Sequence, residues 1–199
     1  GYLGGEKIGL FEDEEIADYI KKNYHLKFDY SRAGSLDMVT ADLQGRDYLF
    51  PSSQTALQYY DSVHGSGAAD EIVFNTPIVL YSHKMIADAL ADQEIVSQND
   101  GVYYADMVKL TELILAEKKW SDIGLPQLYG NVFVDTTDPA RSNSGNMFAA
   151  LLANSLNGGK TVDEESIYNI LPDLKRIFAQ TGFMETSSSD LFNQFLRMG

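Results

Sequence analysis

Between the apolar run Val132–Val134 and the apolar run that starts at Met147 stand Thr136, Thr137, Asp138, Arg141, Ser142, Asn143, Ser144 and Asn146. A plain turn needs far fewer hydroxyls. The first N–H groups of a helix lack internal partners and carry partial positive charge. Small alcohols and glycine around them leave room for an anionic or oxygen-rich group. Thr136, Thr137 and the trio Ser142, Asn143 and Ser144 are therefore candidate ligand contacts. Arg141 adds a planar fork suited to a carboxylate or oxyanion. Its structural alternative is an ion pair with Asp135 or Asp138.

Two shorter junctions repeat the design. "YSRAGSLDMV" sets Gly34 and Ser35 between a strand and a helix, and "FPSSQTAL" sets Ser52, Ser53 and Thr55 at another. Taken singly, Ser35, Ser53 and Ser144 also fit plain N-caps, each contributing about 0.5–2 kcal/mol. In a parallel α/β sheet such turns gather at the carboxyl ends of the strands, where ligands bind.

The elements that must position these turns follow from periodicity. Short strands are expected within Leu3–Leu10, over Leu26–Tyr30, at Tyr48–Phe50 and over Asn131–Asp135. The longest β-like run, Glu71–Tyr81, contains Thr76-Pro77, which points to an edge or a change of partner. Helices are expected over Glu14–Asn23 with Asp13 as N-cap, Leu36–Leu43 capped by Ser35, Gln54–Val63, Lys84–Leu90, Tyr104–Lys118, Gly145–Leu156, Glu164–Gln180 divided at Pro172, and Ser189–Met198. Alternating strands and helices imply an α/β protein with largely parallel sheets.

The 199 residues, 44% hydrophobic and 22% charged, support a packed core. No apolar run reaches the roughly 18 residues of a membrane span. The chain begins without a basic and apolar leader, so an export signal is expected to be removed already or never present. A net charge of -14 argues against nucleic acid and anionic lipid as partners. With no cysteine, disulfides, Cys-zinc sites and thiol nucleophiles are excluded. His25, His64 and His83 lack metal-ligand spacing, and no metal or cofactor is expected. Glu12 to Glu15 suit the first turn of a helix.

Enzyme signatures fail one by one. "NGGKT" has Asn154 where a P-loop needs glycine, and it follows a helix. No Gly-x-Ser-x-Gly elbow or His-Glu-x-x-His occurs. A serine nucleophile at Ser142 or Ser144 would need a histidine brought from far along the chain.

Several segments resemble bacterial extracellular solute-binding proteins of ABC importers. "GGEK" resembles their "GSEK" opening, and "DYSRAGS" their "AGS" turn. "FPSSQTA", "FNTPIVLYSHKMIAD" and "KKWSDIG" follow in the same order. "DTTDPARSNSGNMFAALLAN" is similar to the family's "TTD…SNS" loop, and "FAQTGFMETSSSDLFNQFLRMG" to the segment before the chain returns to the first lobe. The resemblance implies a two-lobed, type II periplasmic-binding-protein-like fold, with a first lobe over 1–76, a hinge crossing over 77–82 and a second lobe over 83–199. It implies a cleft between lobes contacted by Gly5, Glu6, Gly34, Ser35, Ser52, Ser53, Thr136, Thr137, Ser142, Asn143 and Ser144, with Arg141 beside them. A monomeric, non-enzymatic, extracellular or periplasmic protein is implied, lipid-anchored before processing in some cases, that captures a small solute for transporter membrane subunits.

Two departures stand out. Gly5 replaces the serine of "GSEK". Family members also continue with a strand returning to the first lobe, so an incomplete version of a longer protein, with an unfinished sheet edge in that lobe, is expected. Hydroxyls and helix N-termini favour an oxyanion or small carboxylate, while Tyr59, Tyr60 and Tyr81 would equally suit a sugar or other polar organic solute. The rivals are an α/β hydrolase or transferase using Ser142 or Ser144, and a ligand-sensing regulator, for which no basic DNA-binding segment is present.

Overall fold

The computed structural model describes residues 1–198. It is mixed α/β, rich in helix, with two small sheets. The chain divides into two compact units: one of Gly1–Pro77, Thr137–Asn146 and Glu185–Asn193, the other of Ile78–Thr136, Met147–Met184 and the stretch from Gln194 on.

The first unit is built on strands β1 (Tyr2–Leu3), β2 (Ser31–Arg32) and β3 (Leu49–Phe50) in the order β2-β1-β3. Both pairings are parallel, with Leu3 opposite Arg32 on one side and Phe50 on the other. β1 and β3 are shorter than expected, and β2 lies just beyond Leu26–Tyr30, the run expected to form it. Phe28 and Tyr30 do not extend the ladder; their rings pack on Phe11 at 5.1 and 6.1 Å. Ile8–Leu10 leave the first strand altogether. The Lys7 N–H donates to the Gly4 carbonyl at 3.0 Å and starts a tight turn that runs into α1 (Ile8–Glu12).

Helix α2 (Glu14–Tyr24) begins as expected, with the Asp13 carboxylate accepting from Ile16 N at 3.0 Å. Helix α3 (Asp37–Thr40) is shorter than read, and Leu36, not Ser35, is its N-cap. Helix α4 (Gln54–His64) follows β3. The buried apolar residues of this unit are few: Leu3, Met38, Val39 and Ala56. An aromatic cluster of Phe11, Phe28, Tyr30, Tyr48 and Phe50 supplements them.

The second unit holds the continuous core, centred on Leu90, Ile95, Leu110, Ile114, Trp120, Val132, Phe148, Leu152 and Ile177. These come from α5 (Lys84–Asp92), α6 (Met107–Leu115), α7 (Asn143–Leu156, which starts in the first unit), α8 (Glu164–Gln180) and the loops between them. Helix α9 (Ser188–Met198) closes the order. Pro172 does not divide α8. Pro172 and Tyr168, whose carbonyl loses its helical donor, are both exposed, so water can serve that carbonyl.

Four expectations are corrected here. The sheet of the second unit is not parallel: β4 (Val96–Asn99) and β5 (Val102–Ala105) form an antiparallel hairpin. Its two-residue loop, Asp100-Gly101, has φ of 49° and 80°, the positive pair that a twisted hairpin requires. The helix expected from Tyr104 therefore starts only at Met107, where Asp106 accepts from Val108 N and Lys109 N at 3.0 and 3.1 Å. Replacing that cap by alanine is expected to cost about 1 kcal/mol, read from a lowered urea midpoint at unchanged slope. Asn131–Asp135 forms only a single bridge, Asn131 to Lys119. Finally, residues 71–81 form no strand and are exposed throughout, Ile72 and Val73 at 64% and 62%. β-propensity reflects fit to a pleated neighbour more than a backbone preference, and this run has none to pair with among the described residues. No helix there is long and apolar enough to cross a membrane.

Candidate functional site

Because β1, β2 and β3 run parallel, their carboxyl ends open on the same side of the first unit. β1 runs into Gly4-Gly5-Glu6, β2 into Ala33-Gly34-Ser35, and β3 into Pro51-Ser52-Ser53. Side chains lace these turns together. Ser35 is buried, and its Oγ accepts from Ser52 N at 2.9 Å, so it ties turn to turn instead of capping a helix. Lys7, only 6% exposed, donates to Glu6 Oε1 at 2.6 Å and to Ser52 Oγ, and the Ser52 hydroxyl donates to the same carboxylate oxygen. The Lys7 ammonium also lies 5.0 Å from the centre of the Phe50 ring.

The segment Thr137–Asn146 joins them. Asn143 Nδ2 donates to the Ser52 carbonyl at 3.2 Å, and Asp138 N donates to the Glu185 carbonyl at 2.8 Å. Around these connections lies a hollow of about 280 Å³. Nine of the residues singled out by sequence line it: Gly5, Glu6, Gly34, Ser35, Ser52, Arg141, Ser142, Asn143 and Ser144. Three do not. Thr137 is buried and donates to Ser142 Oγ at 2.9 Å, Thr136 is buried beside it in sequence, and Ser53 Oγ is enclosed without a hydrogen-bond partner among the described residues.

Glycines let the walls come close. A Cβ on Gly4 would meet the Glu6 carboxylate at 2.5 Å, and one on Gly5 the Arg32 Nε at 2.8 Å. Gly5, which stands where the resembling family has serine, thus leaves room for the Arg32 guanidinium. A Cβ on Gly34 would meet Asp37 Oδ2 at 2.7 Å and the Arg141 carbonyl at 2.8 Å.

Charge in the hollow is mixed: Glu6 and Asp37 against Arg32 and Arg141. Burial pushes the Glu6 carboxyl upward, but the hydrogen bonds from Lys7 and Ser52, with the Lys7 charge, outweigh it and hold the group below its ordinary value. Arg32 reaches Asp190 at 3.4 Å. Arg141 makes no ion pair among the described residues, so its expected structural alternative, a pair with Asp135 or Asp138, is not formed. Asp138 Oδ1 accepts instead from Ala140 N at 2.8 Å. In the second unit, burial raises the Asp135 carboxyl.

Sequence reading missed Arg32, Asp37, Thr186, Ser187 and Ser188, which also line the hollow. The run Thr186 to Ser189, which leads into the first residues of α9, carries the same signal that picks out Ser142 to Ser144. Two of the three histidines are occupied elsewhere: His64 Nε2 donates to the Val39 carbonyl at 2.7 Å, and the His83 ring lies 5.2 Å from that of Phe195. Among the described residues no cluster of three or more His, Asp or Glu side chains could hold a metal ion. The arrangement offers hydroxyls, amides and both signs of charge around a space the size of a small organic molecule. Family models, curated proteins and solved structures contain no match to this chain.

Proposed function

We propose that the chain is a solute-binding protein, capturing an oxyanion or a small polar organic molecule for delivery to an ABC importer. One observation carries this reading. Turns from distant parts of the chain are cross-linked by their own side chains, yet leave between them a polar hollow of about 280 Å³. A set of mere caps would have collapsed on itself, with each hydroxyl spent on its own helix. Here Ser35 and Ser52 are spent on holding turns together, and Ser144 lines the hollow with no side-chain hydrogen bond among the described residues. Delivery to an importer is what the sequence resemblance adds to this geometry.

Ser144 gives the cleanest test. Ser144→Ala is expected to weaken solute affinity about tenfold by loss of a hydrogen bond to the ligand, while the melting temperature without solute stays unchanged. Ser142→Ala is less discriminating, since Ser142 Oγ accepts from the buried Thr137. Screening by thermal shift identifies a stabilising solute first, because a ligand of the folded state raises its melting point. A melting temperature lowered by Ser144→Ala with full retention of affinity would make the residue a cap and remove the support for this site.

A further inference from the structure

We propose that the solute is a small amino-carboxylate zwitterion, such as a free α-amino acid, and not an inorganic oxyanion. This rests on the solute-binding reading of the same hollow. Its size is the first argument. At about 280 Å³ it approaches the roughly 300 Å³ lower bound of sites for small organic ligands. A tetrahedral oxyanion would leave much of that space to water.

Charge is the second and stronger argument. Of the four charged side chains in the lining, two are engaged with other residues. Glu6 takes Lys7 and Ser52, and Arg32 reaches Asp190. Asp37 and Arg141 remain, and neither side chain has an ion-pair or hydrogen-bond partner among the described residues. They are not scattered. The Asp37 carboxylate and the Arg141 carbonyl both lie within 3 Å of the point where a Cβ of Gly34 would stand, at 2.7 and 2.8 Å. Both residues also line the small recess that adjoins the hollow at Gly34. The Asp37 carboxylate and the Arg141 main chain thus flank one glycine, and the two side chains form no ion pair with each other among the described residues.

A ligand carrying both charges satisfies both groups. Its carboxylate takes the Arg141 fork, beside the Ser142 and Asn143 end of α7, and its ammonium takes Asp37. An oxyanion would gain Arg141 but face the carboxylates of Asp37 and Glu6. A neutral polyol would leave both charges without a counterpart as water is displaced.

The test compares matched probes by calorimetry and thermal shift on the full chain: L-alanine and L-glutamine against propionate, ethylamine, sulfate and glycerol. Both amino acids are expected to bind and raise the melting temperature, while propionate and ethylamine, each lacking one charge, bind at least tenfold more weakly. Asp37→Asn is expected to lower amino-acid affinity roughly ten- to a hundredfold and to leave propionate binding no weaker. Arg141→Gln is expected to lower both. Asp37 and Arg141 are exposed, so both variants are expected to melt like the parent chain without ligand. Binding of sulfate or glycerol without amino acids would overturn the zwitterion and leave the solute-binding reading standing. Binding of no probe, with no stabiliser in a wider screen, would overturn both.

Discussion

Gly145→Ala is expected to cost about 3 kcal/mol and to abolish solute binding in the fraction that still folds. Gly145 is the third residue of α7, and a Cβ there would lie 2.1 Å from the Thr137 carbonyl and 2.8 Å from the Asp138 carbonyl carbon. Both obstacles are backbone, so no rotamer change relieves them. The chain between them is also held. Asp138 N donates to the Glu185 carbonyl, and the Asp138 carbonyl accepts from Arg141 N and Ser142 N. Relief therefore means moving Ser142, Asn143 and Ser144, which line the hollow. Gly9→Ala is the matched control: it lies in α1, and nothing stands within 4 Å of its Cβ position. That variant is expected to be neutral or more stable by up to about 1 kcal/mol, since alanine is the better helix former. Chemical denaturation of the pair separates the steric effect from the generic cost of an added methyl. Equal stabilities would mean that Thr137 and Asp138 yield freely and that α7 does not depend on this contact.

Much of this is legible in the sequence, for reasons that differ from residue to residue. Asp13 was readable as a cap because capping is local: one carboxylate, one N–H three residues on, no tertiary help. The hydroxyl-rich turns were readable because their number exceeded what capping demands. Ser35 was misread for the same local reason. Its hydroxyl could serve a helix, and only the arrival of Ser52 from 17 residues away decided otherwise. The Asp100-Gly101 hairpin is open to a direct reading, since that dipeptide between β-like residues is a strong turn signal; the helix expected from Tyr104 takes in the end of its second strand. Residues 71–81 show the opposite limit. Their two runs rich in β-branched and aromatic residues, Ile72–Phe74 and Ile78–Tyr81, are a sound strand signal, but a strand is a relation between two segments, and the composition of one segment is silent about the other. Arg32 and Asp37 were invisible because nothing in their own neighbourhood marks a charge as facing a hollow. That is set by the short approach allowed at Gly5 and Gly34.

Lys7→Met is expected to destabilise the first unit by about 2 kcal/mol near neutral pH and to make that loss depend on pH. The figure is held below that for a deeply buried pair because the Glu6 side chain is 42% exposed and partly screened. Methionine keeps the buried volume against Phe50, so the change isolates the charge. In the parent chain Glu6 has a carboxyl held below its ordinary value, despite burial, by Lys7 and Ser52. A carboxyl lowered on folding contributes stability that is complete above its unfolded value, ordinarily 4.5, and is lost as pH falls through the folded one. Without Lys7, burial is the leading influence and the carboxyl moves upward. Its charge then opposes folding at neutral pH and ceases to do so once the group is protonated. The gap between parent and variant is therefore full above the variant's raised value and narrows as pH falls from there through the parent's lowered one. Glu6→Gln in the Lys7→Met background removes the stranded charge, so the double variant is expected to recover part of the loss at pH 7 and to show a flat difference from the parent between pH 5 and 7. Urea midpoints across pH read all three. A gap that stays constant down to pH 3 would mean that Lys7 stabilises by packing on Phe50 alone, and the Glu6–Ser52–Lys7 network would then no longer account for how the floor of the hollow is held.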